Sequence, residues 1–131
     1  MRGSQNLPLY KAGTQLVSHL YQTTKKAPRE LRYTLVQRLL SEAVEALVDV
    51  DEANRTFEPS ERLLCLRNLQ KRIVRIGVLL TTAFEQRCLS TGAMALCVQT
   101  VDAFDAQLTG WAKQTEKKSV SIGSLEPGVS T

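Results

Sequence analysis

The residues of this chain best suited to chemistry are cations on one prospective helix face. Between Arg62 and Ala83 stand five basic residues, Arg62, Arg67, Lys71, Arg72 and Arg75, and no Asp or Glu. At about 100° per residue, Leu66, Leu69, Ile73, Ile76 and Leu80 share one face, with Arg67, Lys71 and Arg75 nearly opposite. A buried stripe backed by a basic one suits binding to a polyanion, though solvated Lys and Arg are also normal on any surface. Arg67, Lys71, Arg72 and Arg75 are therefore the main expected contacts to nucleic acid or a partner. Lys25, Lys26, Arg29 and Arg32 cluster at an interhelical turn and extend the patch. Phosphate contacts of this kind tolerate any sequence, and with aromatics at only 5% base stacking is not an evident route to specificity.

Catalytic chemistry is poorly provided for. His19 is the one histidine, with no cysteine or carboxylate at helical spacing beside it, and it reads as a surface or boundary residue. Cys65, Cys88 and Cys97 match no zinc pattern and are odd in number, so buried free thiols in a reducing cytoplasm are expected. Glu42, Glu45, Asp49 and Glu52 could suggest a di-metal bundle, but no Glu-x-x-His occurs. Neither Ser90-Thr91-Gly92 nor Leu108-Thr109-Gly110 has the composition of a phosphate loop. The expectation is a noncatalytic, cytoplasmic protein without metal or cofactor. No apolar run suggests a membrane span or a signal peptide.

Four helical segments must position these groups. Asn6 and Pro8 open the first, which runs to about Thr24; Pro28 opens the second, to about Arg55. Glu58-Pro59-Ser60-Glu61 opens the third, to about Arg87, and Ser90 caps the fourth, whose Met94, Cys97, Val101, Phe104, Leu108 and Trp111 form a heptad-like stripe. Short connections imply an all-α, up-down-up-down antiparallel four-helix bundle over 7–115. Residues 1–6 read as a leader, with Met1-Arg2-Gly3-Ser4 resembling an expression sequence, and 116–131 as a disordered tail. Charge is segregated. The span Arg2–Ser41 has seven basic residues against Glu30 alone, while Glu42–Glu61 has seven acids against Arg55 alone. That acidic zone reads as a solvated face able to contact a basic neighbour.

The second helix carries two apolar rows. Tyr33, Val36, Leu40, Val44 and Leu47 make one; Leu31, Leu35, Leu39, Ala46 and Val50 make another, roughly opposite. One bundle core absorbs only one of them. In the third helix Val78 and Leu79 also lie off the main stripe. Leu31, Leu35, Leu39, Val78 and Leu79 are thus the expected oligomer interface.

Leu7-Pro8-Leu9-Tyr10-Lys11, then Lys26-Ala27-Pro28-Arg29-Glu30-Leu31-Arg32-Tyr33-Thr34-Leu35, the leucine-rich third helix and a terminal Gly110-Trp111 together resemble one family. It is the accessory variability determinant (Avd) proteins of diversity-generating retroelements. More distantly, the chain is similar to the four-helix-bundle proteins encoded in intervening sequences of bacterial 23S ribosomal RNA genes. The resemblance spans residues 7–113. It implies a ring-like homopentamer that associates with the retroelement's reverse transcriptase and binds RNA and DNA, supporting mutagenic cDNA synthesis and retrohoming without a catalytic site. The alternative is a generic oligomeric helical scaffold, of the ribosomal intervening-sequence type, that does not bind nucleic acid.

Overall fold

A computed structural model describes residues 2–125, with side chains described over 3–121. This part of the chain is all-helical. After a short N-terminal turn, Arg2–Gln5, come four long helices. Helix α1 is Pro8–Thr23, and α2 runs through Arg29–Leu31, a π-helical segment Arg32–Val36, and Gln37–Arg55. Helix α3 is Pro59–Glu85, and α4 is Thr91–Leu125. Helices α1 and α3 each pack against both α2 and α4, around one core.

The helix boundaries have local causes. Pro8 sits in the first turn of α1, although the cap position falls on Leu7, one residue beyond the expected Asn6. The Glu58 carboxylate accepts from the backbone N–H of Ser60 (3.2 Å) and Glu61 (2.9 Å), satisfying two donors that the start of α3 leaves orphaned. Ser90 Oγ accepts from Ala93 N–H at 3.1 Å and caps α4 as expected. Helix α3 ends in a Schellman turn. Arg87 adopts φ 63°, its N–H bonds Phe84 O (2.9 Å), and Cys88 N–H bonds Ala83 O (2.9 Å). Cys88 and Ala83 are both buried, which supplies the apolar contact this turn usually carries.

The core stripe of α2 is Val36, Leu39, Ala43, Ala46, Val50 and Ala53, spaced three and four apart. Leu39 is fully buried, and this corrects its assignment to an oligomer interface; Leu79 is likewise a core residue at 8% exposure. Leu31 and Leu35 are half-buried against the same core. Of the five expected interface residues only Val78 stands out in solvent, at 62%. Leu39 sits on a regular three-and-four stripe of α2 and Leu79 beside Leu80 on the inward side of α3, while Tyr33 lies within the π-helical segment and stays in solvent. A helical wheel finds both apolar rows of α2 but does not say which of them meets the neighbouring helices.

At the centre Phe104 and Leu16 are wholly buried, each contributing roughly 1.5–3 kcal/mol by leaving water. Gly13 sets the helix spacing beside them. A Cβ there would lie 2.8 Å from Leu47 Cδ2 and 3.1 Å from Phe104 Cε2, so any larger residue would require the end of the Leu47 side chain and the Phe104 ring to shift.

At the N-terminus Ser4 is buried, donates to the Asp51 carboxylate and accepts from Asn54 Nδ2 at 3.2 Å, so the first turn is docked on α2. Helix α4 continues to Leu125, past the expected start of the tail at 116. Its inward positions there, Thr115 and Ser119, are small and polar and carry no apolar signal. Thr115 is nevertheless buried, and Ser119 Oγ lies 3.2 Å from Ser60 Oγ. Residues 126–131 of that expected tail lie outside the described residues.

Candidate nucleic-acid interface

The cations of α3 serve three different purposes. Arg62 turns back on the end of α2: its Nε donates to Ala53 O (3.0 Å) and Thr56 O (2.8 Å), and Nη2 to Asn54 O (3.3 Å). The same guanidinium lies 5.5 Å from the centroid of the Trp111 ring. It therefore covers the negative end of α2 and joins α2, α3 and α4 at one corner.

Arg72 lies between two acids of α2. Nε contacts Asp49 Oδ2 at 2.5 Å and Nη1 contacts Glu42 Oε2 at 2.6 Å, with about a quarter of the arginine side chain exposed. Burial alone would lower its pKa; the hydrogen bonds it donates to the Asp49 and Glu42 carboxylates outweigh that and raise it. This corrects the placing of Arg72 among the nucleic-acid contacts, because its charge is already matched inside the protein. Arg75 shares Glu42 at 3.4 Å, and Arg67 reaches Glu116 of α4 at 3.1 Å. Both of those pairs are exposed on the arginine side, where screening leaves the cation accessible to a second anion. Lys71 is exposed with no carboxylate in ion-pair range among the described residues. Around these cations α3 also exposes Leu64 (67%), Val74 (68%) and Val78 (62%).

At the other cluster, Lys25, Lys26, Arg29 and Arg32 are all exposed around the α1–α2 turn. Only Arg32 is engaged, through Nε to Ala27 O at 3.0 Å, a bond that orders the turn and leaves the outer guanidinium nitrogens to solvent. From Arg32 to Glu42 is ten residues, or roughly 15 Å along a helix axis. The two basic clusters are thus offset along α2, and the stretch between Arg32 and Glu42 holds no acid, its one charged residue being the exposed Arg38.

Residues that the sequence reading passed over stand next to this turn. Tyr21 (51% exposed) and Tyr33 (74%) line one groove of about 470 Å³ between α1 and α2, together with Arg32, Gln37, Leu40, Ser41, Val44 and Glu45. Tyr33 shares helical spacing with Val36 and Leu40, and its place immediately after the basic run Arg29 to Arg32 is the signal in the sequence that sets it apart.

His19 Nδ1 is 2.9 Å from Thr100 Oγ1, which itself donates to Leu96 O (2.8 Å), so His19 donates and links α1 to α4. All three cysteines are free; burial pushes the Cys88 thiol up, and also that of Cys97, where a bond to Thr23 offsets part of the rise. Among the described residues no His, Cys, Asp and Glu group is placed to hold a metal, and no helix is long and apolar enough to cross a membrane. Leu7, Pro8 and Leu9 meet Gly110 and Trp111 along a second groove, of about 460 Å³, so two segments quoted for the family resemblance converge in space. The sequence matches no family model and no curated protein.

Proposed function

We propose that this chain is a noncatalytic accessory protein of a diversity-generating retroelement, an adaptor that binds RNA or DNA and the element's reverse transcriptase to support mutagenic cDNA synthesis and retrohoming. The helices are read as an up-down-up-down antiparallel four-helix bundle. Short connections support that reading, as does the packing of each long helix on its neighbours in sequence and of the first on the last. The observation that carries the binding role is the exposed cation cluster Lys25, Lys26, Arg29 and Arg32, with Glu30 the only acid in that run. Four outward cations at one end of a bundle suit a polyanion, and copies around an oligomer would add weak contacts together.

Self-association, as the ring-like homopentamer of the resemblance, is assigned to apolar residues left outside the core. These are Leu64, Val74 and Val78 on α3 and Val48 on α2, flanked by Arg67 and Lys71 on one helix and Glu45 and Glu52 on the other. A basic-apolar face and an acidic-apolar face on one molecule suit a head-to-tail contact between copies, the kind that closes a ring.

The test of nucleic-acid binding is fluorescence anisotropy with labelled RNA over a salt series. Lys25→Glu with Lys26→Glu should weaken binding and lower the log–log salt slope by about 0.7 for each cation lost. Unchanged affinity and slope would remove this end of the bundle from the interface. Pull-down of the reverse transcriptase, scored in the same variants, separates loss of RNA from loss of the polymerase. The alternative of an oligomeric scaffold without nucleic acid draws on a specific observation, the internal pairing of Arg67, Arg72 and Arg75. It predicts no salt-dependent RNA binding in the wild-type protein.

A further inference from the structure

We infer that the groove between α1 and α2 is a site for unpaired bases, in which Tyr21 and Tyr33 offer stacking faces while Lys25, Lys26, Arg29 and Arg32 hold the adjoining phosphates. The inference rests on the nucleic-acid reading above and narrows it to single strands and to this one end of the bundle.

Three observations converge here. Tyr21 and Tyr33 come from different helices and line one groove, both at least half exposed. Tyr33 stands exposed within the π-helical segment Arg32–Val36. Segments of this kind give up regular helix geometry and occur often at functional sites. The charge alongside is complementary to phosphate, since Arg32 lines the groove itself and Lys25, Lys26 and Arg29 stand exposed on the turn that joins its two helices. Leu40 and Val44 give the groove an apolar floor, and Gln37 and Ser41 place donors and acceptors within the lining, where a base edge could meet them. Its one acid, Glu45, stands among the lining residues three turns beyond Tyr33, so a strand running from the turn toward α2 would meet repulsion there. That limits the site to a few nucleotides. A duplex keeps its bases stacked and paired, and presents no free face to the tyrosines.

The full chain would be titrated with a fluorescein-labelled, unstructured single-stranded RNA and with the blunt duplex of that strand and its complement. Wild type should prefer the single strand. Tyr21→Ala and Tyr33→Ala should each weaken single-strand binding by on the order of ten-fold, with the salt slope unchanged because no cation is lost. Tyr21→Phe and Tyr33→Phe should bind as wild type does. Circular dichroism checks that these exposed positions leave the helices intact. If the alanine variants bind the single strand like wild type, or if duplex and single strand bind equally, the base site is overturned while the nucleic-acid role stands. If wild type binds neither RNA at low salt, the accessory function fails and this site with it.

Discussion

At Arg72 the acidic and basic zones of the sequence meet, and removal of that one guanidinium would leave Glu42 and Asp49 half-buried with only Arg75 nearby. Arg72→Met should cost about 2–4 kcal/mol, read as a fall in the urea midpoint, because a broken buried pair strands the surviving charges. Combining it with Glu42→Gln and Asp49→Leu should recover most of that loss. Both zones are written plainly in the sequence; which acids meet which cation depends on the side of α2 against which α3 docks, and no spacing within one helix records this. Arg87 offers the opposite case. Its positive φ is a glycine conformation held by a larger residue, so Arg87→Gly should raise stability by about 1 kcal/mol in the same assay. Glu58 makes stability depend on pH. The N–H groups of Glu61 and Ser60 hold its carboxyl below the usual glutamate value, so its contribution is complete above that value and is lost as pH falls through the lowered one. Acid melts should therefore show a decline that Glu58→Gln flattens.

Among the elements, α2 was legible as a helix with a core stripe, and the choice between its two apolar rows was not. Both rows satisfy helical spacing, so spacing within one helix could not say which would face the core; the row containing Leu39 went inward while Tyr33, Val44 and Val48 stayed in solvent. The end of α4 was hidden for a different reason. Thr115 and Ser119 complete an inward stripe with small polar residues that carry no hydropathy signal, yet both helices α3 and α4 are touched there through Ser60–Ser119 and Arg67–Glu116. Truncation after Gln114 should leave the assembly in place but lower the melting temperature by a few degrees, since it removes an ion pair, a buried hydroxyl and the last turns of helix. An unchanged melt would show those contacts to be worthless in solution.

For the molecule as a whole, burial now separates folding from association. Leu39 is part of the core, so Leu39→Glu should abolish cooperative unfolding outright. Leu64 and Val78 are exposed, so Leu64→Glu with Val78→Glu should keep the helical circular dichroism and melting transition of the protomer while sedimentation equilibrium shifts from oligomer to monomer. Persistence of the oligomer in that variant would move the interface off α3. A wild-type monomer at micromolar concentration would remove the ring altogether. Ring closure matters to the proposed function because one bundle presents four cations at its α1–α2 end, and repetition is what turns a weak site into a tight one.

The corner held by Arg62 bears on the order in which this architecture assembles. Its bonds to Ala53, Asn54 and Thr56 close a loop of only a few residues, whereas its contact with Trp111 waits on a helix far along the chain. Loop closure of the first kind costs little entropy, which favours a folding nucleus in the α2–α3 hairpin with α4 arriving after the barrier. In stopped-flow chevrons, Arg62→Ala should then slow refolding, while Trp111→Leu should leave the refolding limb nearly unmoved and hasten unfolding.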